Sequence, residues 1–208
     1  MLDKLQYISQ GKTAAEQIRN ILNALDHGAG WIQCRWKEGT YEQKLELALA
    51  TRKLCQAYKA TCIINDHIDI ARIVAADGVH LGLNDDTIEK ARKILGPDQL
   101  IGGTANTMKD ILQRTSEGCD YIGLGPYRFT TTKEKLSPVL GLSGYQNIFT
   151  ALQDQSIQIP PIYAIGGIAM NDIPALQKAG IYGIAVSGLI TRQPIIIPKL
   201  KEYLSCNH

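Results

Sequence analysis

The chain repeats one pattern from end to end, a short apolar run followed by an amphipathic stretch, and this repeat is the strongest constraint on its fold. Most of the runs are continuously apolar, as expected for strands that are buried on both faces. They cover residues 5–9, 31–36, 61–65, 78–83, 100–105, 121–126, 162–167 and 183–188. Eight strand–helix units of about 26 residues fit the tight end of a (β/α)8 TIM barrel. We therefore predict an α/β fold with one such barrel, a single domain over residues 1–208.

Helical periodicity fills the intervals between the runs. Two apolar faces follow the spacing of an amphipathic helix, and they consist of Ile18, Ile21, Leu22 and Leu25, and of Ile88, Ala91, Ile94 and Leu95. Four glycines stand where helices would end in a left-handed residue, namely Gly28, Gly96, Gly118 and Gly180. These features predict eight helices that alternate with the eight strands.

An open, doubly wound sheet is the competing architecture, because it also alternates strands and helices. Two observations disfavour it. No G-x-G-x-x-G follows the first run, and polar clusters end nearly every run rather than only two at one crevice. A barrel brings eight strand ends to one mouth, which suits that distribution.

The net charge and the cysteines indicate which binding partners and which compartment to expect. The formal net charge is +2 and no basic run occurs, so nothing favours nucleic acid or a membrane as the main partner. The N-terminal stretch has no signal-peptide pattern, and no apolar run is long enough to span a bilayer. The five cysteines are scattered without a CxxC pair, which predicts free thiols in a reducing cytoplasm. We expect a cytoplasmic protein with small-molecule substrates, and whether it forms a homo-oligomer stays open.

The second run ends in polar residues at alternate positions. Gln33, Arg35 and Lys37 share one face of the strand, because side chains alternate with a period of two. Two cations inside a packed barrel would be very unfavourable without partners, so we expect them at the rim, where they meet anions. The alternative is a salt-bridged strand end.

Carboxylates follow the third and fourth runs. Asp66 comes directly after the third, and Asp85 or Asp86 after the fourth. Neighbouring strands lie about 4.8 Å apart, so these groups can share one cation, and two carboxylates with water and phosphate suit Mg²⁺. Helix N-capping is the alternative for each aspartate. His67 and His80 are interpreted as surface or core residues rather than metal ligands.

Small and hydroxyl-rich turns follow the later runs. Thr104 and Asn106 end the fifth, and the sixth leads into a long polar loop, "GPYRFTTTKEK". Gly166 and Gly167 follow the seventh run, and Ser187 and Gly188 the eighth, where many barrels bind phosphate through backbone N–H groups. Ordinary turns are the alternative. No nucleophile with an adjacent base is present, so acyl transfer through a catalytic triad is disfavoured.

Those segments, in that order, resemble thiamine-phosphate synthases over essentially the whole chain. The family's Q-L-R-x-K is present as residues 33–37, its N-D as Asn65-Asp66, and its A-D-G-[IV]-H-[IL]-G-Q-x-D as residues 76–85. Its G-P-x-x-x-T-x-T-K corresponds to residues 125–133, and its final turns to residues 165–168 and Val186-Ser187. The resemblance implies a transferase of thiamine biosynthesis. Such an enzyme joins 4-amino-2-methyl-5-hydroxymethylpyrimidine diphosphate to 4-methyl-5-(2-hydroxyethyl)thiazole phosphate, or its carboxylate form, and releases diphosphate.

The resemblance also implies roles for matched residues. Asp66 and Asp85 would hold Mg²⁺, while Asp86 would cap the following helix. The residues implied to contact the pyrimidine diphosphate are Gln33, Arg35, Lys37, Asn65, Thr104 and Lys133, of which Arg35, Lys37, Thr104 and Lys133 would be catalytic. The thiazole-phosphate site would comprise Thr130, Thr131, Thr132, Gly167, Ser187 and Gly188. In this family, metal and cations draw off the diphosphate, and the thiazole nitrogen attacks the cation that remains.

Departures from the family pattern leave the main assignment standing. Leu83 and Cys34 replace a glutamine and a leucine that contact neither metal nor phosphate, and Thr104 preserves the hydroxyl of the usual serine. Arg128 either adds a cation near the diphosphate or faces solvent.

Three other functions compete with the synthase. The homologous thiazole tautomerase typically has a histidine where this chain has Asn106, and a non-catalytic phosphate-binding barrel would lose the metal ligands, which are present. A sugar-phosphate isomerase would need an acid–base pair at the mouth.

Overall fold

Eight parallel strands close into a barrel in the computed structural model, which describes residues 2–129 and 138–205. The strands pair in chain order, and the last pairs with the first. The predicted TIM barrel is therefore confirmed. The strands are β1 (Leu5–Ile8), β2 (Trp31–Cys34), β3 (Thr61–Asn65), β4 (Gly78–Leu81), β5 (Leu100–Ala105), β6 (Tyr121–Leu124), β7 (Ile162–Ile165) and β8 (Gly183–Val186). Six of them end one or two residues before the apolar runs do, because those last residues belong to the loops at the mouth.

Helices cover the outside of the barrel. They are α1 (Ala14–Asp26), α2 (Tyr41–Tyr58), α3 (Ile68–Ile73), α4 (Ile88–Leu95), α5 (Met108–Ser116), α6 (Gly141–Asp154), α7 (Ile173–Ala179), α8 (Gly188–Arg192) and α9 (Ile197–Ser205). Short 3-10 helices precede α7 (Met170–Asp172) and α9 (Pro194–Ile196). Within the described residues two helices follow β8, so the prediction of one helix per strand missed one. None of the helices in those residues is long and apolar enough to cross a membrane.

Threonines begin four of these helices. The hydroxyls of Thr13, Thr40, Thr87 and Thr107 each accept a backbone N–H of the first turn. The predicted cap of α4, Asp86, is therefore wrong: Thr87 occupies that position, and Asp86 instead accepts from Lys90 Nζ at 2.7 Å. The apolar faces are confirmed except at Ile94, which is 39% exposed.

The barrel interior is filled by aromatic side chains opposite glycines. Trp31, Tyr121 and Tyr163 pack edge to face, with ring centroids 4.9–5.7 Å apart. A Cβ at Gly102 would lie 2.1 Å from the Tyr121 ring, and one at Gly183 would lie 2.7 Å from the Tyr163 ring. These glycines therefore make room for large rings inside a narrow barrel. A second, larger core lies between the strands and the helices.

Candidate active site

The ends of β2 and β3 bring two predicted polar residues into contact. Gln33 is buried in the barrel, and its Nε2 donates to Asn65 Oδ1 at 2.7 Å. Both side chains occupy the strand positions that alternate with the outward-facing Cys34 and Ile64. This bond orients the free donors and acceptors of the two amides at the floor of the mouth.

The cationic residues follow directly after β2. The Arg35 backbone is held by Ser9, whose Oγ accepts from Arg35 N at 2.9 Å, and by Gln17, whose Nε2 donates to Arg35 O at 3.1 Å. Arg35 is half-buried and Lys37 is exposed. Both cations lie close enough to Asp66 to lower the pKa of its carboxyl group. Arg35 and Lys37 therefore stand beside a carboxyl group, which suits both a ligand-facing rim and the salt-bridged alternative, and their contact with an anionic ligand stays a prediction.

Asp66 and Asp85 come together as the sequence predicts. The two carboxyl groups lie close enough for Asp85 to act on the pKa of Asp66. Burial raises the pKa of Asp66 to about 7, with further contributions from the carboxyl group of Asp85, although Arg35 and Lys37 act in the opposite direction. Asp66 also has a φ of 65°, a left-handed conformation that is uncommon for a residue other than glycine. Strained backbone of this kind clusters at functional sites.

The donor set fits one hard divalent cation. Two carboxyl groups placed side by side repel each other when both are ionised, and a divalent cation between them would offset both negative charges at once. No group of three or more His, Cys, Asp or Glu side chains that could hold a metal occurs in residues 2–129 and 138–205. Two protein carboxylates, with water and phosphate oxygens completing the shell, suit Mg²⁺.

Hydrogen bonds from the backbone hold the pair in place. Asp66 N donates to His80 O at 2.9 Å, which ties the loop after β3 to β4. Gly82 N donates to Asp85 Oδ2 at 2.6 Å, which closes the loop after β4 around its own carboxylate. A Cβ at Gly82 would lie 2.7 Å from that oxygen, so the carboxylate lies directly against the backbone of its own loop.

Arg114 is a buried residue of this region that sequence reasoning missed. It lies on α5, outside the barrel wall, and is 4% exposed. Its guanidinium donates to Thr104 O at 3.2 Å, to Gly82 O at 2.9 Å and to Glu117 at 2.8 Å. Arg114 therefore braces the ends of β4 and β5 together. The only signal in the sequence is Glu117, three residues later, which also suits an ordinary surface ion pair.

His80 and Thr104 meet inside the barrel. His80 is 5% exposed, so the interpretation of this histidine as a core residue is confirmed. Its Nε2 lies 3.1 Å from Thr104 Oγ1, and Thr104 is half-buried at the mouth end of β5. His67 is different, because it lies half-buried after β3 beside Tyr41. Asn106 is buried, and its Nδ2 donates to the Gly125 carbonyl, so its amide supports the loop after β6.

The loop after β6 continues the sheet before it leaves the described residues. Tyr127 N donates to Ile165 O at 2.8 Å, and Arg128 N donates to Gly166 O at 2.9 Å. Arg128 is exposed but not free: its guanidinium forms a bidentate pair with Asp172, donates to Gly167 O at 3.1 Å and lies over the Tyr127 ring. Thr130, Thr131, Thr132 and Lys133 lie outside the described residues.

The turns after β7 and β8 stand at the same end of the barrel. Gly166 and Gly167 have φ values of 90° and 70°, which favour glycine. A Cβ on Gly167 would lie 2.8 Å from Arg128 Cβ, so this turn packs directly against the loop after β6. Ser187 begins α8, and its Oγ donates to Gln10 Oε1 at 3.2 Å.

A pocket of about 350 Å³ opens beside the ends of β2 and β3. Its walls include Trp36, Lys37, Lys44, Asp66 and His67. The pocket gives Asp66 a solvent-open side next to two lysines.

Comparisons with known proteins agree on one family. The family model described as thiamine monophosphate synthase matches residues 5–190. Two relatives, both named thiamine-phosphate synthase, come from Flavobacterium psychrophilum (57% identical, covering 92% of this chain and 93% of the relative) and Flavobacterium johnsoniae (53%, covering 100% and 99%). The solved thiamine phosphate pyrophosphorylase of Pyrococcus furiosus has a TM-score of 0.81 at 30% identity and covers 98% of both chains.

Proposed function

Because the chain belongs to the thiamine monophosphate synthase family, and is thus an enzyme of thiamine biosynthesis, we propose the specific reaction that it catalyses. It joins 4-amino-2-methyl-5-hydroxymethylpyrimidine diphosphate to 4-methyl-5-(2-hydroxyethyl)thiazole phosphate, or to its carboxylate form. The products are thiamine phosphate and diphosphate.

The arrangement at the ends of β2, β3 and β4 carries this proposal. Two cations, Arg35 and Lys37, lie near the carboxylate pair of Asp66 and Asp85. A leaving diphosphate needs positive charge around it, and cations placed before the reaction stabilise the charge that develops as the bond breaks. Two carboxylates beside these cations would have a role if they bound a metal ion that also binds the diphosphate.

Asp66 and Asp85 would hold Mg²⁺ in the proposed site. When bound, the ion supplies Lewis-acid stabilisation of the diphosphate oxygens. The residues of the chain bind and orient: Gln33 and Asn65 hold the pyrimidine diphosphate through their joined amides, and Thr104 offers a hydroxyl from β5. Lys133 is assigned to the departing diphosphate from the sequence alone.

The acceptor phosphate is assigned to the other side of the mouth. Gly167 lies in the turn after β7, and Ser187 and Gly188 directly follow β8, where backbone N–H groups can receive a phosphate. Thr130, Thr131 and Thr132 are assigned to the same phosphate from the sequence. By this assignment from the sequence, residues that follow β6 would contact both substrates.

The proposed reaction does not need a nucleophile from the protein. If the diphosphate leaves first, the thiazole nitrogen attacks the pyrimidine-methyl cation directly. The protein then has two tasks, to stabilise the leaving group and to hold both substrates in line.

The tautomerase is the second candidate, and Asn106 argues against it. An amide cannot serve as a general base, and this one is committed to the Gly125 carbonyl. We also propose that the enzyme acts in the cytoplasm on small molecules, with neither nucleic acid nor membrane as partner. The four cysteines of the described residues are free thiols, which suits a reducing compartment.

The test is to run both assays on one preparation. Purified protein with Mg²⁺ and both substrates should form thiamine phosphate, and it should leave the thiazole isomer that a tautomerase consumes unchanged. Folded protein that yields no thiamine phosphate above the uncatalysed background would overturn the proposal.

A further inference from the structure

A continuous line of hydrogen bonds crosses the barrel interior and ends at Thr104. Gln6 Nε2 donates to the Tyr121 hydroxyl at 3.3 Å, and that hydroxyl lies 3.2 Å from His80 Nδ1. His80 Nε2 then lies 3.1 Å from Thr104 Oγ1. Gln6, Tyr121 and His80 are 1%, 0% and 5% exposed, so bulk water does not compete for these bonds.

The direction of each bond follows from the chemistry of the first donor. The amide nitrogen of Gln6 can only donate, so the Tyr121 oxygen accepts from it. Tyr121 has a single proton, and among the described residues its other hydrogen-bond partner is His80 Nδ1. Burial raises the pKa of Tyr121, so the phenol keeps its proton. Nδ1 is therefore an acceptor, and the neutral imidazole carries its proton on Nε2.

The far end of the line faces the mouth. Thr104 Oγ1 accepts the proton of His80 Nε2, which directs its own hydroxyl proton away from the imidazole. We infer that His80, held by Tyr121, is a positioning residue that makes Thr104 a hydrogen-bond donor toward the substrate. The substrate atom at this point is then an acceptor, such as a ring nitrogen or a phosphate oxygen, rather than an N–H group. The inference deepens the proposed function, since it rests on Thr104 contacting the pyrimidine diphosphate.

Glycines on two strands give the line its space. Gly102, on β5, lies against the Tyr121 ring, where any Cβ would overlap it. Gly123, on β6, faces the His80 ring, and a Cβ there would lie 3.3 Å from Cε1. The two glycines therefore leave space for the Tyr121 and His80 rings in a narrow barrel.

The direct test reads the tautomer without using activity. Long-range ¹H–¹⁵N NMR on the uniformly ¹⁵N-labelled full chain distinguishes the two nitrogens of a neutral histidine, and the signals lost in His80→Gln assign the residue. We expect the proton on Nε2 at neutral pH in the wild type, and loss of that single state in Tyr121→Phe. A proton on Nδ1, or on both nitrogens, in the wild type would overturn the inference. This result stands whatever reaction the enzyme catalyses.

The kinetic test uses a matched control inside the same barrel. Tyr163 belongs to the same aromatic cluster, but its hydroxyl donates to Asp3 O at 2.8 Å, away from His80. Tyr121→Phe should lower kcat/KM for the pyrimidine diphosphate about tenfold, as loss of one oriented hydrogen bond does, while Tyr163→Phe should change it by less than about twofold.

A double mutant separates positioning from general loosening of the core. In a Thr104→Val background the hydroxyl is gone, so Tyr121→Phe should have no further effect on kcat/KM. Thr104→Ser should keep the sensitivity to Tyr121→Phe. A full Tyr121→Phe effect in the Thr104→Val background would show that Tyr121 acts only on the core and would contradict the inference. If the wild type lacks synthase activity, the proposed function fails and the NMR result alone decides the inference.

Discussion

At the residue scale, the carboxylate pair is the feature with the clearest chemical consequence. Asp66→Asn and Asp85→Asn each replace a carboxylate that would bind Mg²⁺ with a neutral amide. We expect each variant to reduce the synthase rate about 10²- to 10³-fold, as loss of one electrostatic contact to a transition state does. Each variant should also need a higher Mg²⁺ concentration for half-maximal activity. Asp86→Asn is the matched control, because Asp86 is exposed and pairs with Lys90. Mg²⁺ titrations identical in the wild type, Asp66→Asn and Asp85→Asn would disprove the metal assignment.

Arg114 is expected to stabilise the fold and to hold the loop after β4 in place. Arg114→Lys keeps the charge, but a single ammonium cannot replace all of the bonds that the guanidinium donates to the Gly82 and Thr104 carbonyls and to Glu117. We expect a loss of about 1–3 kcal/mol in the free energy of unfolding, measured by urea denaturation.

The control for Arg114 is an exposed ion pair elsewhere on the chain. Lys93 and Glu89 are both mostly exposed, so Lys93→Gln should change the free energy of unfolding by less than about 1 kcal/mol. Equal effects of Lys93→Gln and Arg114→Lys would mean that Arg114 does not brace the two strand ends.

At the element scale, the turn after β7 is coupled to the loop after β6 by close packing. Gly167→Ala adds a Cβ at a positive φ and places it against Arg128. Gly118→Ala meets a similar φ, 78°, but open space. We expect the first to cost about 1–3 kcal/mol of unfolding free energy and the second about 1 kcal/mol, so that the difference measures the crowding. Equal losses in thermal or urea unfolding would show that the two loops do not press on each other.

The same two loops are joined by the ion pair of Arg128 and Asp172. This pair predicts how the stability of the fold depends on pH. Burial alone would raise the pKa of Asp172, but hydrogen bonds from Arg128 and from Ala169 N outweigh it, so the pKa lies below its ordinary value. A lowered pKa stabilises the fold above the unfolded value, about 3.9, and that stability is lost as the pH falls through the folded value. Asp172→Asn should therefore lower the melting temperature at pH 7. Below about pH 4 the melting temperature of the variant should fall less steeply with pH than that of the wild type. A variant curve parallel to the wild type would contradict this.

At the scale of the whole molecule, the sequence predicted the barrel because eight buried strands leave eight continuous apolar runs. Strand ends were predicted too long, since Arg35 and Trp36 continue the pattern of β2 into a loop that no longer pairs. The pairing of Asp66 with Asp85 could be expected, because neighbouring parallel strands end at the same edge. The line from Gln6 to Thr104 could not, because it joins four strands through side-chain geometry that no local pattern encodes. Arg114 was missed for the same reason, since two of its three acceptors are backbone carbonyls on other segments.

The central claim is that one mouth joins two phosphorylated substrates with loss of diphosphate. The most direct measurement quantifies thiamine phosphate and diphosphate from the same quenched reaction over time. We predict equal amounts of the two products, formed only when the protein, Mg²⁺ and both substrates are present together. Diphosphate without thiamine phosphate, or neither product from folded protein, would contradict the account.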